Sequence, residues 1–229
     1  MTKSVTLIFP GQGAQYVGMG QSLEGHPSFE FLNKANQSLD YDLKKIMLSG
    51  PEEDLTLTAN TQPAILTHSI ALFDKAWEIL LNKGIKVDRV LGHSVGEYAA
   101  LVAAKAIDFA IELKVSAPFH SSLMEPAAQK LKAHLDTIEF RPLFTPYIAN
   151  IDAKEYGADT AGEIVKENLF KQVDGSVRWT QSIEQLPDDT ICLEVGPGRV
   201  LMGLLRKINR NIKVISLDKD GAFDELKEL

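Results

Sequence analysis

A single cysteine in 229 residues leaves nothing from which to build an internal disulfide framework or a multi-cysteine metal site. That residue, Cys192, stands in Thr190-Ile191-Cys192-Leu193-Glu194, which reads as a buried strand with the thiol as a small apolar filler. No stretch approaches the roughly 18 uninterrupted apolar residues of a transmembrane helix. Nor does Met1-Thr2-Lys3-Ser4-Val5 begin the apolar core of a signal peptide, so a cytoplasmic location is expected. Basic charge is scarce too. With 24 Lys and Arg against 31 Asp and Glu the net charge is −7, which argues against general nucleic-acid binding. Internal repeats and linkers rich in Pro, Gly or Ser are missing, so no division of the chain suggests itself. What is abundant is apolar content, 45% of residues, enough for a sizeable core and too much for a disordered chain.

The apolar run 5–9, stopped by Pro10-Gly11, predicts a buried strand followed by a loop. Mixed amphipathic segments near 20–39 and 41–48 predict helices broken near Asp40. Pro51 followed by Glu52, Glu53 and Asp54 marks another helix start, where acids meet the positive end of the dipole. From Gln62-Pro63 to about Asn82 a long helix is expected, with Ile65, Ile70, Leu72, Phe73, Trp77 and Leu80 on its apolar face and Gly84 as its stop. A strand over 87–91, a turn over 92–96 and an Ala-rich helix over 97–106 come next. A helix over 122–135 and strands over 146–149, 190–195 and 212–217 complete the pattern. Strands alternating with helices indicate an α/β protein with a mainly parallel sheet.

The strongest chemical signal is Gly92-His93-Ser94-Val95-Gly96, a G-x-S-x-G pentapeptide between a strand and a helix. Glycines on each side relieve crowding at a strained turn, so the serine hydroxyl stands exposed. The Val95 N–H and the helix N-terminus then face any oxyanion that develops. A serine nucleophile needs a base. Of the five histidines, His93 adjoins the serine but its side chain diverges, His134 lies on a polar helix stretch, His26 precedes Pro27 in a loop, and His68 suits packing within the long helix. His120 closes Val115-Ser116-Ala117-Pro118-Phe119-His120, a strand-like run ending in a loop, where catalytic residues are commonly held. A second glycine loop, Phe9-Pro10-Gly11-Gln12-Gly13-Ala14-Gln15, lacks the spacing of a dinucleotide fingerprint and any Walker lysine. It is either a plain structural turn or a turn that brings the Gln12 N–H towards the serine as a second oxyanion donor. Gly196-Pro197-Gly198 repeats the theme, and the helix after it carries Arg199, Arg206, Lys207 and Arg210, either a solvated basic face or a dock for an acidic partner.

These segments, with Thr61-Gln62-Pro63-Ala64, Ala117-Pro118-Phe119-His120 and Glu194-Val195-Gly196-Pro197-Gly198, occur in the order found in malonyl-CoA:acyl carrier protein transacylases. The chain resembles the large α/β-hydrolase-like subdomain of that family, a three-layer core, over nearly its whole length. The resemblance implies that Ser94 is the acyl-accepting nucleophile and His120 its base, with the backbone N–H groups of Gln12 and Val95 as the oxyanion hole. It implies that the backbone carbonyl of Gln172, aligned through Trp179, orients the histidine in place of a carboxylate. Gln62 and His93 would line the acyl pocket. The implied reaction moves malonyl from coenzyme A to Ser94 and then to a carrier-protein phosphopantetheine thiol, in fatty acid biosynthesis. Coenzyme A is a substrate thioester there; no cofactor or metal is expected. The partners implied are malonyl-CoA and acyl carrier protein, without nucleic acid or membrane, for a monomeric enzyme. Lys171, Arg178, Arg199, Arg206 and Lys207 are the basic positions expected to meet the acidic carrier.

One departure is large. In the family the helix after Ala106-Ile107-Asp108-Phe109-Ala110 continues, carries an arginine that pairs with the malonyl carboxylate, and leads into a ferredoxin-like small subdomain. Here Ala110 runs directly into Ile111-Glu112-Leu113-Lys114. The shortfall is roughly 80 residues, a small domain's worth. Residues 1–229 are therefore expected to form a single α/β large subdomain, with the junction of the missing insertion at about 110–111. None of Arg89, Arg141, Arg178, Arg199, Arg206 and Arg210 falls at the place of the missing arginine. Losing the charge-assisted clamp and the water-excluding lid is expected to weaken transfer or relax its specificity. Two rival readings stand beside this one: a serine thioesterase or esterase, whose acid would have to be Glu97, Asp108 or Glu112, and an inactive carrier-binding scaffold.

Overall fold

Residues 3–108 and 125–229 are described by a computed structural model; the segment 109–124, with His120 and the expected junction, lies outside the described residues. Side chains of β1 (Ser4–Phe9) alternate between two cores, Val5, Leu7 and Phe9 entering a large one and Ile8 a smaller one. β1 lies inside a six-stranded sheet of order β4-β3-β2-β1-β5-β6. It pairs in parallel with β2 (Lys86–Gly92) and β5 (Ile191–Glu194). β3 (Tyr147–Ile148) and β6 (Lys213–Ser216) extend the sheet in parallel, and β4 (Glu155–Tyr156) closes one edge antiparallel. The two-residue β4 carries no apolar run, and sequence reading passed over it. Cys192 is fully buried in the smaller core beside Ile8 and Leu91, where burial pushes its thiol up to about 12.

Helices cover both faces, as a parallel sheet requires. On the large-core side lie α1 (Glu30–Ser38), α2 (Leu43–Ser49), α3 (Glu52–Thr56), α4 (Thr58–Lys83), α5 (Gly96–Ala103), α6 (Glu125–Leu135), α7 (Gly162–Lys171) and α10 (Ala222–Lys227). α8 (Trp179–Glu184) and α9 (Val200–Ile208) cover the smaller core. This is the mainly parallel, three-layer α/β arrangement expected from the sequence. Because the β1-to-β2 connection passes over one face and the β5-to-β6 connection over the other, neighbouring β1 and β5 send their loops apart at their carboxyl ends. Such a crevice is where open α/β sheets hold their ligands.

α4 begins at Thr58, four residues before the expected start, with Pro63 inside it. Proline has no N–H to offer the Ala59 carbonyl one turn back. The Tyr41 hydroxyl donates to that carbonyl instead, at 3.1 Å, so the helix runs through. Removing this donor in Tyr41→Phe is expected to lower stability by about 1 kcal/mol, measured by urea unfolding. From Thr61 to Leu72 every residue of α4 is buried, polar ones included, because this half is wedged between α5 and α1 to α3. Gly84 stops it as expected, in the left-handed conformation at φ 64°. α5 ends at Ala103, three residues earlier than its Ala-rich pattern suggests, although Ala104 and Ala106 remain buried.

Candidate active site

Ser94 stands on the turn between β2 and α5 at φ 54°, a left-handed conformation that costs a non-glycine residue about 1–2 kcal/mol. The glycines around it are required by backbone contacts. A Cβ on Gly92 would lie 2.1 Å from the Gly96 carbonyl, and one on Gly96 would lie 2.2 Å from the Phe9 carbonyl oxygen. The turn therefore closes flat against the end of β1 and leaves Ser94 partly exposed. The loop after β1 reaches the same place: the His93 N–H donates to the Phe9 carbonyl at 2.9 Å, and a Cβ on Gly11 would meet the His93 carbonyl at 2.4 Å. Gln12 follows, exposed. No acceptor among the described residues takes the backbone N–H of Gln12 or of Val95. Two N–H groups left open on adjoining loops beside the serine are what an oxyanion site needs.

Of the other expected site residues, His93 packs edge-to-face on Trp179, with ring centres 5.3 Å apart. Gln62 is buried in α4 at 4% exposure. Gln172 caps the C-terminus of α7 at 3% exposure. The loop after it is clipped to the chain leaving β3: the Arg178 N–H donates to the Asn150 carbonyl at 2.9 Å and Arg178 Nε to the Ile151 carbonyl at 3.0 Å. Asn150 also touches the serine, its Oδ1 accepting from the Ser94 N–H at 3.1 Å. The elbow and the Gln172 loop thus flank one asparagine. His120, and with it the pairing to Gln172 and Ser94, falls outside the described residues.

Sequence reading missed three polar anchors. Asn150 is the first. The second is Asp218, just after β6, whose Oδ2 accepts from the Tyr16 hydroxyl and the Gly198 N–H, both at 2.8 Å, while His68 Nε2 lies 3.3 Å from its Oδ1. One buried carboxylate thereby ties the loop after β1 to the Gly196-Pro197-Gly198 loop, with the His68 ring of α4 lying against it. The third is Glu194, which accepts from the Leu201 and Met202 N–H groups at 2.8 and 3.2 Å and so caps α9 across that glycine loop. Among the described residues, no group of three or more His, Cys, Asp or Glu could hold a metal ion.

Burial holds two carboxyl groups near the site towards their neutral form: Glu97 on α5, fully buried, is raised to about 8, and Glu194 to about 7, both from 4.5. In the unfolded chain both would ionise near 4.5. The folded state thus binds more protons between pH 4.5 and 8, so their contribution to stability is greatest below pH 4.5 and declines until about pH 8. Glu97→Gln is expected to flatten its share of that slope. Denaturant unfolding of both proteins at pH 5, 7 and 9 checks it, and parallel pH profiles for the two would contradict it.

An acyl transferase domain family matches residues 6–110, up to the position of the expected junction. A malonyl CoA-acyl carrier protein transacylase of Bacillus subtilis (strain 168) is 32% identical over 316 aligned positions, covering 98% of this chain and 98% of the relative. The chain belongs to the malonyl-CoA:acyl carrier protein transacylase family. A transacylase of Staphylococcus aureus (strain MSSA476) is 29% identical across 92% of the chain and 94% of its own length. Among solved structures, the acyl-carrier-protein S-malonyltransferase of Burkholderia pseudomallei 1710b superposes with a TM-score of 0.87 at 27% identity, covering all of both chains. A malonyl-transacylase solved in complex with its type II PKS acyl-carrier protein gives 0.85 at 27% identity, over 99% of each chain. Set against 229 residues, the 316 positions of the Bacillus alignment leave at least 87 with no residue of this transacylase, close to the shortfall expected at Ala110-Ile111.

Proposed function

We propose that this chain takes malonyl from malonyl-CoA onto Ser94 and passes it to the phosphopantetheine thiol of an acyl carrier protein, as a cytoplasmic enzyme of fatty acid synthesis. The observation that carries the reading is the Ser94 elbow, a left-handed serine pressed against β1 by Gly92 and Gly96 beside two N–H groups that no acceptor among the described residues takes, in a member of this family. Ser94 Oγ attacks the thioester carbonyl, giving its proton to His120. The N–H groups of Gln12 and Val95 hold the developing oxyanion, and the coenzyme A sulfur leaves with the proton from His120. In the second half the carrier thiol gives its proton to the same base and attacks the ester, and Ser94 recovers its hydrogen. Coenzyme A enters as a substrate, and no step calls for a metal.

The acyl group is held here without the clamp of the longer relatives. Three of the six arginines are engaged elsewhere: Arg89 with Glu155, Arg141 with Asp108 and Arg178 with the Ile151 carbonyl. A large subdomain shortened at about 110–111 should accept acetyl and malonyl thioesters with little preference and lose part of the acyl-enzyme to water. Intact-mass spectra after mixing with malonyl-CoA or acetyl-CoA test this. Adducts on Ser94 from both are expected; rapid acylation by malonyl-CoA alone would overturn the relaxed specificity, and no adduct from either would overturn the transferase reading.

The carrier is expected to dock on α9 and its flanks. Arg199, Arg206, Lys207 and Arg210 are exposed and form no ion pair among the described residues, whereas Lys171 is occupied by Glu167 at 2.7 Å. Arg206→Glu with Lys207→Glu should weaken carrier binding about tenfold in 0.1 M salt and much less in 0.5 M salt, by surface plasmon resonance. Salt-independent binding would remove the electrostatic account.

A further inference from the structure

The α/β elbow leaves a question that the nucleophile alone does not answer: what keeps a strained serine from relaxing. Ser94 is held at φ 54°, and its N–H and the Gly92 carbonyl are both backbone groups of that turn. One side chain from a different part of the chain takes both. Asn150, 3% exposed in the loop after β3, accepts from the Ser94 N–H through Oδ1 at 3.1 Å and donates to the Gly92 carbonyl through Nδ2 at 2.7 Å. Its Nδ2 also donates to Glu97 Oε2 at 2.5 Å, and its own backbone N–H lies 3.4 Å from Glu97 Oε1. With a carbonyl and a carboxyl group on one side and an N–H on the other, the amide has only one satisfactory orientation.

We propose that Asn150 is a positioning residue that holds the Ser94 elbow in its reactive shape, and that Glu97, by accepting from its amide, sets which way that amide faces. The proposal rests on the reading of Ser94 as nucleophile, and it adds to that reading the residues that keep the nucleophile in place. A backbone held at an N–H and a carbonyl by one side chain cannot relax its left-handed turn without breaking two hydrogen bonds, and the Val95 N–H directly after it stays aimed where the oxyanion forms. Glu97 belongs in this account as a neutral acid. It is enclosed by Asn150 and Asp152 from the loop after β3, by Tyr147 from β3 and by Tyr98 on its own helix; burial is the main reason that its carboxyl keeps the proton to about pH 8, and Asp152 adds to the effect. Ionised, it would set a negative charge behind the oxyanion site and oppose the charge that develops there.

The test separates this proposal from the transfer reaction. A fluorophosphonate probe reports the reactivity of Ser94 without needing malonyl-CoA or carrier. Asn150→Asp keeps the shape but turns a carboxylate oxygen towards the Gly92 carbonyl, and should slow labelling about 10²-fold with the melting transition retained. Glu97→Gln keeps an acceptor for the asparagine. It should label within about threefold of the unmodified protein at pH 7, and should lack the decline in labelling that the unmodified protein shows above about pH 8. Labelling of a folded Asn150→Asp protein at the unmodified rate overturns the proposal, as does an alkaline decline unchanged in Glu97→Gln. That second comparison holds even where the asparagine variant does not fold. Labelling of the unmodified protein by the probe but no adduct from malonyl-CoA would count against the transfer reading and leave this proposal standing. An unmodified protein that resists the probe would overturn both.

Discussion

Replacing Ser94 by alanine is expected to abolish the covalent adduct with malonyl-CoA and to lower transfer to carrier protein by about 10⁴-fold or more. The effect is that large because the reaction depends on a covalent intermediate. With the hydroxyl gone there is no ester to form, and the proposed oxyanion donors on the Gln12 and Val95 loops can only polarise a thioester that water attacks slowly. Stability should change little. Alanine meets the same left-handed backbone cost as serine at φ 54°, and the contacts that close the turn come from the Ser94 N–H, Gly92 and Gly96. Carrier binding should persist, since the exposed cations of α9 are separate from the hydroxyl. Loss of adduct with carrier binding intact is the result expected of a transacylase. A Ser94→Ala protein that still carries acyl groups after gel filtration would move the nucleophile elsewhere, and an unmodified protein that binds carrier but never acylates would make the chain a scaffold.

The parts of this site legible in the sequence are those written in local chemistry. A pentapeptide with glycines two residues to either side of a serine announces an elbow because only glycine fits where a Cβ would lie 2.1–2.2 Å from backbone atoms, and both glycines stand at such close approaches. β1 was legible as an apolar run stopped by Pro10-Gly11, and the stop of α4 as Gly84. The anchors were not, because each joins residues with no pattern between them. Asn150 lies 56 residues from Ser94, and Asp218 lies 202 from Tyr16. His68 was assigned a packing role from its place in a long helix; it is indeed fully buried, but against a carboxylate that the helix pattern gives no hint of. Glu97, weighed as the acid of an esterase triad, lies instead behind the elbow, against the Asn150 amide. The early start of α4 was hidden by Pro63, a helix breaker in isolation, tolerated because a tyrosine distant in sequence satisfies the carbonyl that it orphans.

Gly96→Ala is expected to have a large effect on folding. The added Cβ would lie 2.2 Å from the Phe9 oxygen and 2.8 Å from the Phe9 carbonyl carbon and the Pro10 oxygen, all of them backbone atoms. No rotamer change relieves such a clash, so β1 and α5 must separate where they meet. Their contact is also where β1 ends in the Gln12 loop and where α5 begins in Val95, so the strain falls on both proposed oxyanion donors together. Overpacking of this kind costs about 3 kcal/mol, equivalent to a drop in Tm on the order of 10 °C for a chain of this length. The fraction that stays folded should acylate at least about 10²-fold more slowly, because a displacement near 1 Å is enough to misplace the reacting groups. Gly203 provides the contrast. It lies exposed inside α9 with nothing within 4 Å of its hypothetical Cβ, and Gly203→Ala should raise stability by about 0.5–1 kcal/mol through helix propensity. Thermal melts of the two variants side by side decide the matter. If both shift Tm in the same direction, steric closure at the Ser94 elbow is not what its glycines are for, and the nucleophile would have to owe its strained geometry to Asn150 alone.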